Sequence, residues 1–171
     1  MEQELAVYPL SMKRFSVLLV EDDPTVRSSL ARAIRCRCRS EGLQIDLVLA
    51  EGVTEAKEIL ASRQVSLILS DMMMLDGTGV DLHIWVSENH PEYVGRFIFC
   101  SGYMEDGLLQ YVRSVGIPFI SKPFGSDEIL GVFRSTLKAL DDKLRKSIPA
   151  RPTSSDDGPS SSGLSRRKAC A

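Results

Sequence analysis

Five short, nearly continuous apolar runs punctuate this chain: Phe15 to Val20, Ile45 to Ala50, Val65 to Ser70, Phe97 to Cys100 and Ile117 to Ile120. Runs of this length without polar alternation are what strands covered on both faces require. The stretches that follow them carry apolar residues at helical spacing. These are Val26, Leu30, Ala33 and Ile34, then Val53, Ala56, Ile59 and Leu60, then Val80, Ile84 and Trp85. Leu108, Leu109 and Val112 form the fourth set, and Ile129, Leu130, Phe133, Leu137 and Leu140 the last. Strand and helix therefore alternate along the chain. Short connections impose right-handed crossovers, so the expected class is α/β: a doubly wound parallel sheet of five strands with helices on both faces. Pro24 suits the first turn of helix 1, and Ser126 with Asp127 and Glu128 opens helix 5.

Such sheets bind their ligands beyond the carboxyl ends of the strands. The residues that close each apolar run are therefore the first candidates. Asp22 and Asp23 follow strand 1, Asp71 follows strand 3, Ser101 follows strand 4 and Lys122 follows strand 5. Two like unit charges 4 Å apart repel by about 4 kcal/mol at an effective dielectric near 20, so clustered carboxylates call for a cation. A hard, all-oxygen set of this kind suits Mg²⁺. Lys122 adds a compact, strongly hydrated point charge that can pair with Asp71. Taken singly, Lys122 reads rather as a salt-bridged lysine and Ser101 as a helix cap; only jointly with Asp22, Asp23 and Asp71 at matching strand ends does the functional reading prevail.

Four segments, in this order and spacing, carry a resemblance: Val17-Leu18-Leu19-Val20-Glu21-Asp22-Asp23, Leu67-Ile68-Leu69-Ser70-Asp71-Met72, Cys100-Ser101-Gly102 and Lys122-Pro123-Phe124. Together they resemble the signature segments of the response-regulator receiver domain of two-component signalling, over roughly residues 15 to 146. The resemblance implies a flavodoxin-like fold of five βα units with strand order 2-1-3-4-5. It implies that Asp71 is the phosphoacceptor, and that Asp22, Asp23, Asp71 and the main-chain carbonyl of Met73 hold Mg²⁺. Lys122 and Ser101 would contact the phosphoryl oxygens, with Ser101 and Phe119 as switch residues that reshape the face of helix 4, strand 5 and helix 5. Phe119 alternatively is a core phenylalanine. Lys122-Pro123 is expected as a cis peptide on the same ground. Such a domain is no ordinary enzyme, yet catalyses its own phosphoryl transfer from phosphohistidine and a slow autodephosphorylation.

The implied partners are a sensor histidine kinase or a histidine phosphotransfer protein, an unknown output partner, and a second copy in a homodimer. Two other readings stand beside a stand-alone switch: a C-terminal fragment of a hybrid histidine kinase, and a pseudo-receiver that binds proteins without phosphorylation. A phosphatase of the haloacid-dehalogenase type needs its nucleophile in D-x-D-x-T/V after strand 1. Glu21-Asp22-Asp23-Pro24-Thr25 does not supply it.

The 171 residues fit one domain of ordinary size with some left over. We divide them into an N-terminal extension at 1–13, the domain at 14–146, and a Ser/Pro/Gly-rich tail at 147–171 that is expected to be disordered. Too few residues follow helix 5 to fold an effector, so output is expected through a partner. A net charge of -2 with 43% hydrophobic and 26% charged residues matches a cytoplasmic protein and disfavours nucleic-acid binding. No apolar stretch approaches the ~18 residues that span a bilayer, so membrane insertion is not expected. Glu2 and Glu4 in Met1 to Met12 argue against a secretory signal.

Cys36, Cys38, Cys100 and Cys170 show no metal-site spacing and read as reduced thiols. Met72, Met73, Met74 and Tyr103 are placed to edge the acidic pocket with apolar surface. Asp76-Gly77-Thr78-Gly79 supplies a turn into helix 3. His83 and His90 read as surface residues. Arg32, Arg35 and Arg39, with Arg27 and Arg37 nearby, make a basic stripe on helix 1 that is either a solvated face or a docking face for the kinase.

Overall fold

A computed structural model describes residues 14–102 and 106–147. The N-terminal extension, Tyr103 and the tail from residue 148 onward lie outside the described residues. Five strands build one sheet: β1 Arg14–Val20, β2 Gln44–Ala50, β3 Leu67–Asp71, β4 Phe97–Ser101 and β5 Phe119–Ser121. All neighbours pair in parallel, in the order β2-β1-β3-β4-β5. The helices are α1 Pro24–Ser40, α2 Val53–Ser62, α3 Gly79–Asn89, α4 Asp106–Val115 and α5 Ser126–Ser147. A 3₁₀ turn at Pro91–Arg96 joins α3 to β4.

Because successive side chains of a strand point to opposite faces, one apolar run feeds two cores. In β1, Val17 and Leu19 pack with Ala31 and Ile34 of α1 and with Ile129, Leu130 and Phe133 of α5. Leu18 and Val20 pack on the other face with Ala56 and Leu60 of α2, Leu82 and Val86 of α3, and Val112 of α4. Full burial of one such side chain contributes about 1.5–3 kcal/mol, so the central strands anchor both layers. The expected class and strand order are those observed.

Several strand boundaries move by one or two residues. β3 runs through Asp71 itself, so the carboxylate sits on the last strand residue, opposite Cys100 of β4. β5 starts at Phe119, after Pro118, which has no N–H to give a ladder. The Pro118 carbonyl still accepts from the Phe99 amide at 2.9 Å.

His83 departs from the surface reading. It is 3% exposed on α3, and its ring lies edge-on to Phe97 at 4.9 Å between centroids. Nδ1 lies 2.8 Å from the hydroxyl of Tyr111 on α4. That pairing satisfies one ring nitrogen inside an apolar layer, which is what permits the burial. His90 caps the C-terminal end of α3 and is partly exposed.

Candidate functional site

The carboxyl ends of β1, β3 and β5 bring one cation and three acids together. Lys122, one residue beyond β5, places Nζ 2.7 Å from Asp71 Oδ2 and 2.6 Å from Glu21 Oε2. Glu21, Asp22 and Asp71 each offer a carboxylate oxygen, all within 4.8 Å of one another. Glu21 and Asp71 are buried and Asp22 is half-buried. Three carboxylates against one ammonium leave an excess of negative charge.

This set corrects the sequence reading of the acidic triplet. Asp23 does not join the cluster; it is the N-cap of α1, where its Oδ1 accepts from the amides of Thr25 at 2.8 Å and Val26 at 2.9 Å. The physical reason is the neighbouring Pro24 at the first helical position. An aspartate immediately before it satisfies the open amides of the first turn. Those amides, Val26 first and then Thr25, hold the exposed Asp23 carboxyl below its usual range. The strand ends at Val20, where the apolar run ends, and Glu21, the first residue beyond it, takes the inner place. An Asp-Pro step marking the helix start was the available signal for this frame.

Glu21 and Lys122 sit in an environment that strains each charge alone. Burial raises the Glu21 carboxyl, the Lys122 hydrogen bond opposes that, and the Asp71 charge adds to it, leaving a net rise. For Lys122, burial lowers the ammonium, but the hydrogen bonds to Asp71 and Glu21 outweigh it and leave it above its ordinary value. Behind the strand, burial pushes the Cys100 thiol up to about 12, so it stays a neutral packing group. The expected cis peptide at Lys122-Pro123 is present.

Main-chain contacts hold the rest. Asp71 Oδ1 accepts from the Met72 amide at 2.6 Å, so donors engage both carboxylate oxygens. Asp22 Oδ2 accepts from the Leu75 amide at 2.9 Å, tying the β1 turn to the segment after β3. That segment is a narrow antiparallel ribbon, Met73–Met74 against Gly77–Thr78. The Gly79 amide closes it on the Met72 carbonyl at 3.0 Å. A Cβ at Gly79 would collide with the main-chain oxygen of Asp71, so only glycine lets the ribbon fold back this closely. Thr78 and Asp81 then form a capping box that starts α3.

Sequence reasoning placed Arg27 only beside the basic stripe of helix 1 and missed its contact with the acidic turn. Its Nη1 donates to the Glu21 carbonyl at 2.7 Å and its Nη2 pairs with Glu51 at 2.8 Å, clamping the acidic turn from α1. Ser101 is 4% exposed at the end of β4, where its carbonyl accepts from the Lys122 amide at 2.8 Å. Phe119 lies opposite Phe99, half-buried in the layer that also holds Leu108 and Tyr111 of α4. Met73 is 49% exposed beside the acids, and Leu75 at the ribbon tip is 96% exposed. Met72, in contrast, is fully buried.

Residues 17–134 match the family model described as the response regulator receiver domain. The chain belongs to this family. Its receiver domain is similar to the response regulator protein PilR of Pseudomonas aeruginosa, 30% identical over 112 residues, which cover 66% of this chain and 24% of PilR. It is also similar to the sensor kinase CckA of Brucella abortus, 32% identical over 129 residues, or 74% of this chain and 13% of CckA. The chain thus spans about a quarter or less of the length of these two curated relatives. Among solved structures, the signal receiver domain of an HD domain-containing protein from Pseudomonas fluorescens Pf-5 superposes with a TM-score of 0.69 at 22% identity. That match covers 85% of this chain and 99% of the other, and it bears on the fold.

Proposed function

We propose that Asp71 accepts a phosphoryl group from the phosphohistidine of a sensor kinase or histidine phosphotransfer protein, and that the modified domain signals through a changed surface. The observation that carries this reading is the Lys122 ammonium bridging Asp71 and Glu21 at 2.7 and 2.6 Å, in a pocket with surplus negative charge. In the transfer an Asp71 carboxylate oxygen forms the new P–O bond and the P–N bond breaks. The donor ring, protonated on its other nitrogen, leaves as neutral imidazole. Such a transfer needs positioning and charge stabilisation more than covalent assistance from the protein.

Mg²⁺ fits the donor set, because clustered carboxylate oxygens and the absence of a soft ligand among them match a hard cation. Asp22, Asp71 and the main-chain carbonyl of Met73 would hold it, with Glu21 behind them in place of Asp23. When bound, the ion would neutralise the charge that gathers on the transferred oxygens. Lys122 would exchange part of its contact with Asp71 for those oxygens, and Ser101 would offer a hydroxyl from the end of β4. Drawing Ser101 inward pulls on the chain that leads to α4. Phe119, which shares its half-buried layer with Leu108 and Tyr111, is then the residue whose repacking reshapes the α4-β5-α5 face.

The test is addition of Mg²⁺ and beryllofluoride, a stand-in for the aspartyl phosphoryl group, while following backbone amide shifts. Shifts at Ser101 and Phe119 in wild type, absent in Asp71→Asn, are expected. A wild type without response would instead favour a domain that binds partners without phosphorylation.

A further inference from the structure

The outer edge of the sheet starts beside the acidic cluster and runs away from it toward the amino ends of the strands, and it is bordered by arginines that the site does not use. Among the described residues β2 is an outer strand, paired only with β1. The Ala50 carbonyl accepts from the Glu21 amide at 3.1 Å and so faces the site side of the strand. Main-chain groups alternate along a strand, so Ile45, Leu47 and Leu49 turn theirs outward. Consistent with this, Arg35 Nη2 lies 3.5 Å from the Leu47 oxygen. The side chains of Ile45, Leu47 and Leu49 all lie on the α1 face of the sheet.

Between this edge and α1 run two adjoining clefts, of about 650 and 500 Å³, which share Arg35 and Arg39 as walls. Leu49 and Ala31 line the first, and Ile45 lines the second. Arg32 borders the first and Arg14 the second. The other arginines of α1 are neutralised: Arg27 by Glu51, and Arg37 by Glu41 and Asp127. Arg14, Arg32, Arg35 and Arg39 have no ion pair among the described residues. Asp46, the acid on β2, is paired with Arg63.

Both features point to one occupant. An exposed strand edge offers an unfinished ladder of amides and carbonyls, and proteins normally blunt such an edge. Here the edge is flanked instead by unpaired cations over an apolar floor. Carboxylates on alternate residues of an extended strand lie about 6.7 Å apart. Arg32, Arg35 and Arg39 are spaced about 4.5 and 6 Å along the helix axis, close enough for flexible side chains to meet successive carboxylates.

We propose that this groove docks an extended acidic segment of a partner protein, which adds to the sheet beside β2 as a sixth strand. Its main chain bonds to Ile45, Leu47 and Leu49, its carboxylates meet Arg32, Arg35 and Arg39 on the α1 face, and its intervening apolar residues turn to the opposite face of the sheet. The groove extends to Arg14 and Gln44 at the amino ends of β1 and β2, about 20 Å along the strands from Glu21. A segment held there leaves the acidic pocket open for phosphoryl transfer.

The test uses the full chain and a short fluorescein-labelled peptide of alternating glutamate and valine, followed by anisotropy. Saturable binding is expected, with slowed amide exchange at Ile45, Leu47 and Leu49. Two peptide controls apply: lysine in place of glutamate should abolish binding, and N-methylation of alternate amides should weaken it about tenfold or more. Arg32→Glu with Arg39→Glu should weaken it by a similar factor. Beryllofluoride shifts at Ser101 in that double variant show that it is folded. The N-methylated peptide needs no variant, so the proposal stays open to refutation if the variant fails to fold. Absence of saturable binding would overturn it. Equal binding of the N-methylated peptide would mark a non-specific polyanion surface and overturn it too. Binding only after deletion of residues 1–12 would assign the groove to the chain's own acidic start instead of a partner.

Discussion

Glu21 is 2% exposed and its carboxyl is raised by burial, so the folded protein binds a proton there more readily than the unfolded chain does. Stability from this group therefore falls as pH rises from the ordinary glutamate value, about 4.3, through its higher folded value. Glu21→Gln removes that penalty and keeps an acceptor for Lys122. We expect a higher thermal midpoint without metal at neutral pH, together with a smaller rise on adding Mg²⁺. Thermal unfolding in EDTA and in Mg²⁺ measures both. A lower midpoint in EDTA would mean that the Lys122 pairing outweighs the burial. Lys122 has the same sense in a higher pH range: its raised ammonium gives stability that is complete below the ordinary lysine range and is lost as pH climbs through the folded value. The neighbouring aspartates separate the two frames of the acidic triplet. Asp22→Asn should weaken Mg²⁺ binding about tenfold or more by calorimetry, since ligand charge sets affinity at such sites. Asp23→Asn should leave it nearly unchanged, because that side chain is committed to the amides of Thr25 and Val26.

Among the elements, α3 and α4 are joined by His83 and Tyr111, whose polar atoms meet at 2.8 Å. Tyr111→Phe leaves Nδ1 of a buried ring without its partner and should cost about 1 kcal/mol in denaturant unfolding. Burial lowers the His83 imidazole, so the folded state resists protonation there. The stability it protects is present above the ordinary histidine value, about 6.5, and is lost as pH falls from there toward the folded value. An unfolding free energy that stays flat below neutrality would contradict this. Helical spacing located α3 but not the burial of His83, because its partner stands 28 residues away on another helix. The strands were more legible. Leu18, Leu19, Leu67, Ile68 and Leu69 are fully buried, and a strand covered on both faces has to be apolar at every position. For the same reason Asp71, Ser101 and Lys122 could be read from the ends of the runs.

At the scale of the molecule, the parallel sheet converts sequence order into a site. Crossovers return each strand to the same edge, so Glu21, Asp71 and Lys122 meet although 101 positions separate the first from the last. Topology alone allowed several doubly wound orders, and the order of strands rested on the four signature segments. The Asp22-Asp23 frame failed for a local reason, since three consecutive acids carry no strand period and only Pro24 marks where the helix begins. Whether Asp71 is the phosphoacceptor is decided by phosphorylation of the full chain with phosphoramidate and Mg²⁺, followed by borohydride reduction and peptide mass spectrometry. Homoserine is expected at position 71, formed only with Mg²⁺ and absent from Asp71→Asn. Modification at another residue, or an unmodified chain under conditions where beryllofluoride shifts Ser101, would contradict that role.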